Sequence, residues 1–277
     1  MTSYQYFTSD RINLSYLEWG QSGEPVLLLH GLGDTALVWS SLGETVASEF
    51  HAIAPDMRGH GNSDKPGNGY DFLTLIGDLE ILMDARGWDT AHIVGHSWTG
   101  KLVMVWMRHH PERFRSAVLV DPFFGGRFPS IFKFTFPLLY KVLPFLKMMG
   151  PFASFEQAEA VAKSLKQYRG WSELQQLAFE GSIEQNADSS WSGKLATAAR
   201  DRIFDEVLTV SALTEEIDIP TTFVQPQNGL NRTELQLKPY RKFLKHLTIQ
   251  SVPGNHWAFL VEPESFNQVL LNRLRGG

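Results

Sequence analysis

The spacing of apolar residues changes several times along the chain. Segments 4–7 and 12–19 alternate well enough to predict a two-stranded hairpin with its turn at Ser9 and Asp10. Pro25 to His30, PVLLLH, is continuously apolar instead, the mark of a strand covered on both faces. Residues 38–49 carry a helical period, and HAIAP at 51–55 predicts the next strand. The following run, DMRGHGNSDKPGNG, is dense in turn formers. A second helix is predicted over 73–86, a strand over 92–95, an apolar helix over 98–110 that stops before Pro111, and a strand over 117–120. Short apolar strands alternating with helices predict an α/β protein with a mostly parallel, twisted sheet and helices on both faces.

The alternation stops after Asp121. Residues 122–210 read as predominantly helical, aromatic and rich in Leu and Met, without a strand of the earlier kind. The strand signal returns at 219–226, followed by a helix over 234–246, a strand over 247–252 and a closing helix over 264–274. The economical organisation is one core domain, 1–121 with 211–277, carrying a helical insertion at 122–210. Neither a Gly/Ser linker nor an internal repeat argues for two domains in tandem.

Composition narrows the function. A net charge of −5 over 277 residues provides no footprint for nucleic acid and no polybasic membrane patch. Cysteine is absent, which removes disulfides, thiolate zinc sites and a cysteine nucleophile. The N-terminal stretch lacks a basic region followed by an apolar one. The most apolar long stretch, 128–149, is broken by three lysines and three prolines, which argues against a spanning helix. The expectation is a cytoplasmic protein, monomeric or homodimeric, with no membrane span. No HExxH or clustered Asp/His pattern suggests a metal, and no cofactor is expected.

The chemistry starts at VGHSWTG, residues 94–100. Ser97 stands between a predicted strand and a predicted helix, where a sharp turn would lift its hydroxyl off the sheet. A serine hydroxyl needs a base, a group to orient that base and donors for an oxyanion. Gly95 suits the crowding such a turn creates; Thr99 suits it only partly, because G-x-S-x-G has glycine there and here Gly100 follows one place late. The N–H of Trp98, at the start of the helix, is one oxyanion donor, and the N–H of Leu32 in HGLG is the second.

HGLGDTALVW, DMRGHGNSD, VGHSWTG and PGNHW, in this order and spacing, resemble the α/β-hydrolase superfamily, in its serine-nucleophile, cap-bearing branch, over essentially the whole chain. The resemblance implies a catalytic triad with Ser97 as nucleophile and His256 as base, chosen from nine histidines by its place near the C-terminus. His30, His60 and His96 read as bracing loops, and His109 and His110 as ending a helix. The acid departs from the family pattern. QPQNGLN stands where the family supplies its aspartate, with Asn228 at that place. An asparagine there costs about 10⁴ in rate in a serine protease triad. Asp121, at the end of the next strand after the nucleophile, is the replacement, as in the haloalkane dehalogenase branch. The plainer reading of Asp121-Pro122 is a turn. The dehalogenase and epoxide hydrolase branches carry an aspartate at the elbow, which Ser97 argues against.

The resemblance also makes the helical insertion a cap. Its first third is crowded with Phe123, Phe124, Phe128, Phe132, Phe134 and Phe136, and most of these side chains are expected to be packing. Several, with Trp39, Trp98 and Trp257, are expected to shape an apolar pocket over Ser97. The implied function is a serine hydrolase acting on a carboxylic ester or related acyl bond of an apolar small molecule. Thioester, lactone and carbon–carbon bond hydrolysis use the same parts. A ligand-binding or regulatory protein of this fold with little turnover is the rival from another class.

Overall fold

The computed structural model describes residues 3–127 and 143–276; the aromatic run from Phe128 to Tyr140 lies outside the described residues. An eight-stranded sheet has the order β1-β2-β4-β3-β5-β6-β9-β10. Its strands are β1 (Gln5–Thr8), β2 (Asn13–Trp19), β3 (Glu24–Leu29), β4 (Phe50–Pro55), β5 (Ala91–His96), β6 (Phe114–Val120), β9 (Thr221–Asn228) and β10 (Leu247–Asn255). The pair β1–β2 and the contact of β2 with β4 are antiparallel, and every other pairing is parallel. The expected hairpin and mostly parallel sheet are therefore both present.

The continuous apolar runs follow from two-sided burial. Along β3, Leu27 and Leu29 join one buried cluster while Val26 and Leu28 join the other, and on β5 Ile93 and Val94 divide in the same way. On one face lie α2 (Phe72–Ala85) and α3 (Trp98–His109); on the other lie α1 (Ser40–Val46) and the closing α9 (Pro263–Arg275). Truncating any of these buried leucines to alanine would cost about 2–5 kcal/mol. Helix α1 is shorter than the 38–49 expected. Residues Ala36–Trp39 form a 3₁₀ turn before it, and the chain bends at Ala47 to enter β4 at Phe50.

The described part of the insertion contains a 3₁₀ turn at Pro144–Met149 and the helices α4 (Phe155–Lys163), α5 (Glu173–Ser182) and α6 (Thr197–Thr209). It also contains a small antiparallel hairpin, β7 (Ile183–Gln185) with β8 (Trp191–Gly193), whose strands are not of the apolar kind seen in the core and were not expected. Three-residue strands are too short to show a period. Their signal was the turn between them, where Asp188 accepts from the Ser190 N–H at 3.0 Å and Ser189 takes a φ of 67°. After β9 come α7 (Glu234–Phe243) and, beyond β10, a short α8 (Ala258–Val261). No helix among the described residues is long and apolar enough to cross a membrane.

The loops at the carboxyl ends of the parallel strands are fixed by buried polar groups. Asp56, at the end of β4, accepts from the Ala36 N–H at 2.7 Å, the Asn62 N–H at 2.8 Å and the Ser15 hydroxyl at 2.8 Å. His30 donates from Nδ1 to the Gly31 carbonyl at 2.8 Å and accepts the Met57 N–H on Nε2 at 3.0 Å. Two consecutive strand ends, with HGLGD on one and DMRGHGNSD on the other, are thereby locked together.

Candidate active site

Ser97 sits between β5 and α3 with φ 60° and ψ −117°, a backbone conformation that side-chain-bearing residues seldom adopt. The neighbouring strand holds the turn in place. Ser97 N–H donates to the Val120 carbonyl at 3.0 Å, and Phe123 N–H donates to the Ser97 carbonyl at 2.9 Å. The crowding falls on Gly95 and Gly100. A Cβ on Gly95 would meet the Thr99 carbonyl oxygen at 2.8 Å, and one on Gly100 would meet Pro122 Cβ at 2.8 Å. Position 99 has room for a side chain, and Thr99 uses it: its hydroxyl lies 2.8 Å from the His96 carbonyl and 3.0 Å from that of Leu29. The displaced glycine of the motif thus has a steric reason.

Asp121 and His256 meet. His256 Nδ1 lies 2.6 Å from Asp121 Oδ2. Asp121 is fully buried at the end of β6 and takes a φ of 40°, which aspartate tolerates better than most residues. Its carboxylate also accepts from the Leu230 N–H at 2.7 Å, the Asn231 N–H at 3.1 Å and the Asn231 side-chain amide at 3.0 Å. Burial alone would raise its pKa. The hydrogen bond and charge of His256, helped by Leu230 and Asn231, outweigh burial and hold it below the ordinary carboxylate range.

The loop that lacks the expected aspartate serves the replacement. Asn228 is exposed, and the residues after it wrap Asp121. Gly229 comes so close that a Cβ there would lie 2.5 Å from Asp121 Oδ2. Asn231 was not singled out in the sequence, although NGLN, a turn-forming run beside the expected acid position, carried the signal.

A cavity of about 1100 Å³ opens above these residues, and Ser97, His256, Leu32, Trp98, Phe123 and Trp257 all line it. Phe145, Ile203, Phe204 and Val207 of the insertion line it too. The N–H groups of Leu32 and Trp98 donate to no acceptor among the described residues. The hydrogen bonds of the described residues do not include one from the Ser97 hydroxyl to His256. In enzymes without substrate such contacts are often long and tighten on binding. Two expected pocket residues are elsewhere. Trp39 is fully buried in the core, 4.6 Å from Phe259 and 6.3 Å from Phe266 between ring centroids, because its helical turn faces the sheet rather than the loops. Phe124 is 37% exposed and does not line the cavity, whereas its neighbour Phe123 does.

Beneath the histidine loop lies a second buried polar group. Asp34, the aspartate of HGLGD, accepts from Trp257 Nε1 at 3.3 Å. Burial pushes its carboxyl up to about 7 against the pull of that hydrogen bond and of His256. His96 donates from Nε2 to the His256 carbonyl at 2.9 Å, and burial keeps the His96 ring neutral. In the sequence only the glycines of HGLGD carry a signal, and Asp34 has none of its own. Among the described residues no group of three or more His, Cys, Asp or Glu side chains could hold a metal ion.

Comparisons with known proteins agree with this architecture. The family model for the alpha/beta hydrolase fold matches residues 24–263. In sequence, the chain is 38% identical over 81 residues to a soluble epoxide hydrolase from Corynebacterium sp. (strain C12), covering 29% of this chain and 28% of that protein. It is 37% identical over 116 residues to the non-heme chloroperoxidase CPO-A1 of Kitasatospora aureofaciens, covering 41% of this chain and 42% of that protein. The alignments thus span well under half the length of these relatives. In structure, it superposes on E-2-(acetamidomethylene)succinate hydrolase with a TM-score of 0.83 at 21% identity, covering 99% of this chain and 100% of the other. A thioesterase domain from the curacin biosynthetic pathway superposes with a TM-score of 0.79 at 17% identity, covering 98% of this chain and 99% of the other. The strand order, the strained serine turn and the family match together place the chain in the α/β-hydrolase-fold family.

Proposed function

We propose that this protein is a cofactor-independent serine hydrolase that cleaves a carboxylic ester or related acyl bond of a small molecule with an apolar part. Ser97 Oγ forms a bond to the carbonyl carbon while His256 takes its proton. The oxyanion is held by the N–H groups of Leu32 and Trp98. The bond to the leaving group breaks as His256 returns the proton to it. Water, deprotonated by His256, then attacks the acyl-enzyme, and the proton goes back to Ser97. Asp121 orients the imidazole and stabilises its charged form. The insertion at 122–210 acts as a cap that keeps bulk water from the acyl-enzyme; support comes from Phe145, Phe204 and Val207, which share the cavity with Ser97.

The observation that carries this reading is the 2.6 Å contact of His256 Nδ1 with a buried carboxylate, on a histidine that shares the cavity with a strained serine. A buried carboxylate on the far nitrogen of an imidazole that shares a cavity with a strained serine favours proton transfer over simple ligand binding. Similarity to epoxide hydrolases does not carry their chemistry over, because Ser97 supplies no carboxylate to open an epoxide. The test is intact mass after incubation with a fluorophosphonate, with the modified peptide mapped. One adduct on Ser97, lost in His256→Ala, is expected. Folded protein that stays unlabelled refutes the reading.

A further inference from the structure

The cavity has two chemistries. Its inner wall is apolar, but three cationic side chains, Lys166, Arg169 and Arg232, also line it. They come from two segments of the chain: Lys166 and Arg169 from the insertion, Arg232 from the loop after β9 that holds Asp121. All three are exposed, and among the described residues none forms an ion pair. Among the described residues one carboxylate, Glu262, shares the lining, so the charged groups described there sum to +2 (three cations against one anion). The chain as a whole carries −5. A positive lining on a negative protein marks a place where anions concentrate, since a cleft edged with one sign of charge focuses its field. The polypeptide around them is fixed. Asn255, next to His256, donates from its side-chain amide to the Lys166 carbonyl at 2.9 Å, and Arg232 N–H is held by Gln236 at 3.0 Å. The backbone that carries Lys166 and Arg232 is therefore held in place, while their charged ends stay free to meet a ligand.

We infer that the substrate is an amphiphile: an acyl compound whose apolar part enters the cavity past Phe123 and Phe204 while an anionic group, carboxylate or phosphate, sits between Arg169 and Arg232 at its mouth. The inference rests on the serine-hydrolase reading for the bond that is cleaved, but not for the binding of the anion. Guanidinium groups suit this role because their planar donors match both carboxylate and phosphate oxygens. The anion is carried either on the far end of the acyl chain or on the leaving group, and three substrates separate these cases. They are p-nitrophenyl butyrate, which is neutral, the mono-p-nitrophenyl ester of glutaric acid, which is charged on the acyl side, and butyryl-coenzyme A, which carries phosphates on the leaving side.

One of the two anionic substrates is expected to exceed the neutral one in kcat/KM, through KM, and to lose that advantage as salt is added. In the double variant Arg169→Glu with Arg232→Glu, the ratio of anionic to neutral kcat/KM should fall about tenfold or more. The Gln variants at the same two exposed positions should give a smaller fall in the same direction. A ratio unchanged within about twofold in the reversed-charge variant overturns the inference, whichever substrate is turned over. Binding is read separately by titrating glutarate and inorganic phosphate against the fluorescence of Trp98 and Trp257, which line the cavity. Saturable quenching that is lost in the double variant supports the anion site even if Ser97 fails to label. Labelling of Ser97 with no anion response leaves the hydrolase reading standing and removes this one.

Discussion

Replacing Asp121 by asparagine tests the central assignment. The carboxylate receives four donors: His256 Nδ1 and Leu230 N–H on Oδ2, and Asn231 N–H and Nδ2 on Oδ1. An amide has one oxygen. Either orientation turns its NH₂ toward two donors, and leaving buried donors unmet costs about 1–3 kcal/mol each. The amide also offers no negative charge to the imidazolium formed during attack. By the behaviour of such triads, kcat/KM for p-nitrophenyl butyrate should fall about 10³- to 10⁴-fold, or about 4–5.5 kcal/mol of transition-state stabilisation. Circular dichroism and a melting curve on the same sample separate this from unfolding, with rates taken well below the transition. The second arm adds Asn228→Asp to the Asp121→Asn protein. Asn228 pairs in register with Asn255, the residue before His256, and it lines the same cavity. A carboxylate placed there should recover activity at least about tenfold by acting as a second orienting acid. A folded Asp121→Asn protein within about tenfold of wild type refutes the reasoning, and the 2.6 Å contact would then be a structural ion pair only.

Three further outcomes follow from the same geometry. Lys101 is fully buried in α3 and donates to the Gly126 and Val207 carbonyls, each at 2.6 Å; burial lowers its pKa to about 7 against the opposing charge of Glu206. Between about 7 and the ordinary lysine value of 10.5 the unfolded chain then binds the extra proton, so stability should rise with pH in that window relative to Lys101→Met, by at most about 1.4 kcal/mol per pH unit; urea titrations at pH 7, 8 and 9 that show parallel curves would remove the effect. Gly100→Ala drives a Cβ against Pro122 and to 3.1 Å from the Gly95 carbonyl oxygen, so a loss of about 1–3 kcal/mol in denaturant stability and slower fluorophosphonate labelling of Ser97 are expected. Arg58 holds buried Asp78 with two hydrogen bonds of 2.6 and 2.8 Å, and Arg58→Ala should lose about 3–5 kcal/mol, while Arg58→Met with Asp78→Leu should lose less because no charge is stranded.

What could be read from the sequence follows physical range. The strands were legible because two-sided burial writes itself as unbroken runs such as VLLL, and Ser97 was legible because a strained turn demands small neighbours at fixed offsets. The three-residue strands β7 and β8 were not, since two turns of an alternation are no pattern. Trp39 and Phe124 were misplaced for another reason: an aromatic near a motif carries no record of which way its segment faces. The acid is the instructive case. A reading by position found Asn228, and only the absence of charge there redirected attention to Asp121. Nothing in the sequence said that the Asn228 loop would bend back to donate its Leu230 and Asn231 amides to that aspartate, because those bonds join residues about 110 positions apart. Yet they explain why the move is tolerable. A buried carboxylate needs donors as well as a partner, and the loop that carries Asn228 in place of an acid provides them. The same loop places Arg232 on the cavity one residue beyond Asn231. An acid held by the main chain of this loop leaves the side chains that follow free to face a ligand. On the proposed reading this ties the orienting carboxylate to the charge that lines the cavity, and a variant series that places an acid at position 228 should be read for anion preference as well as for rate.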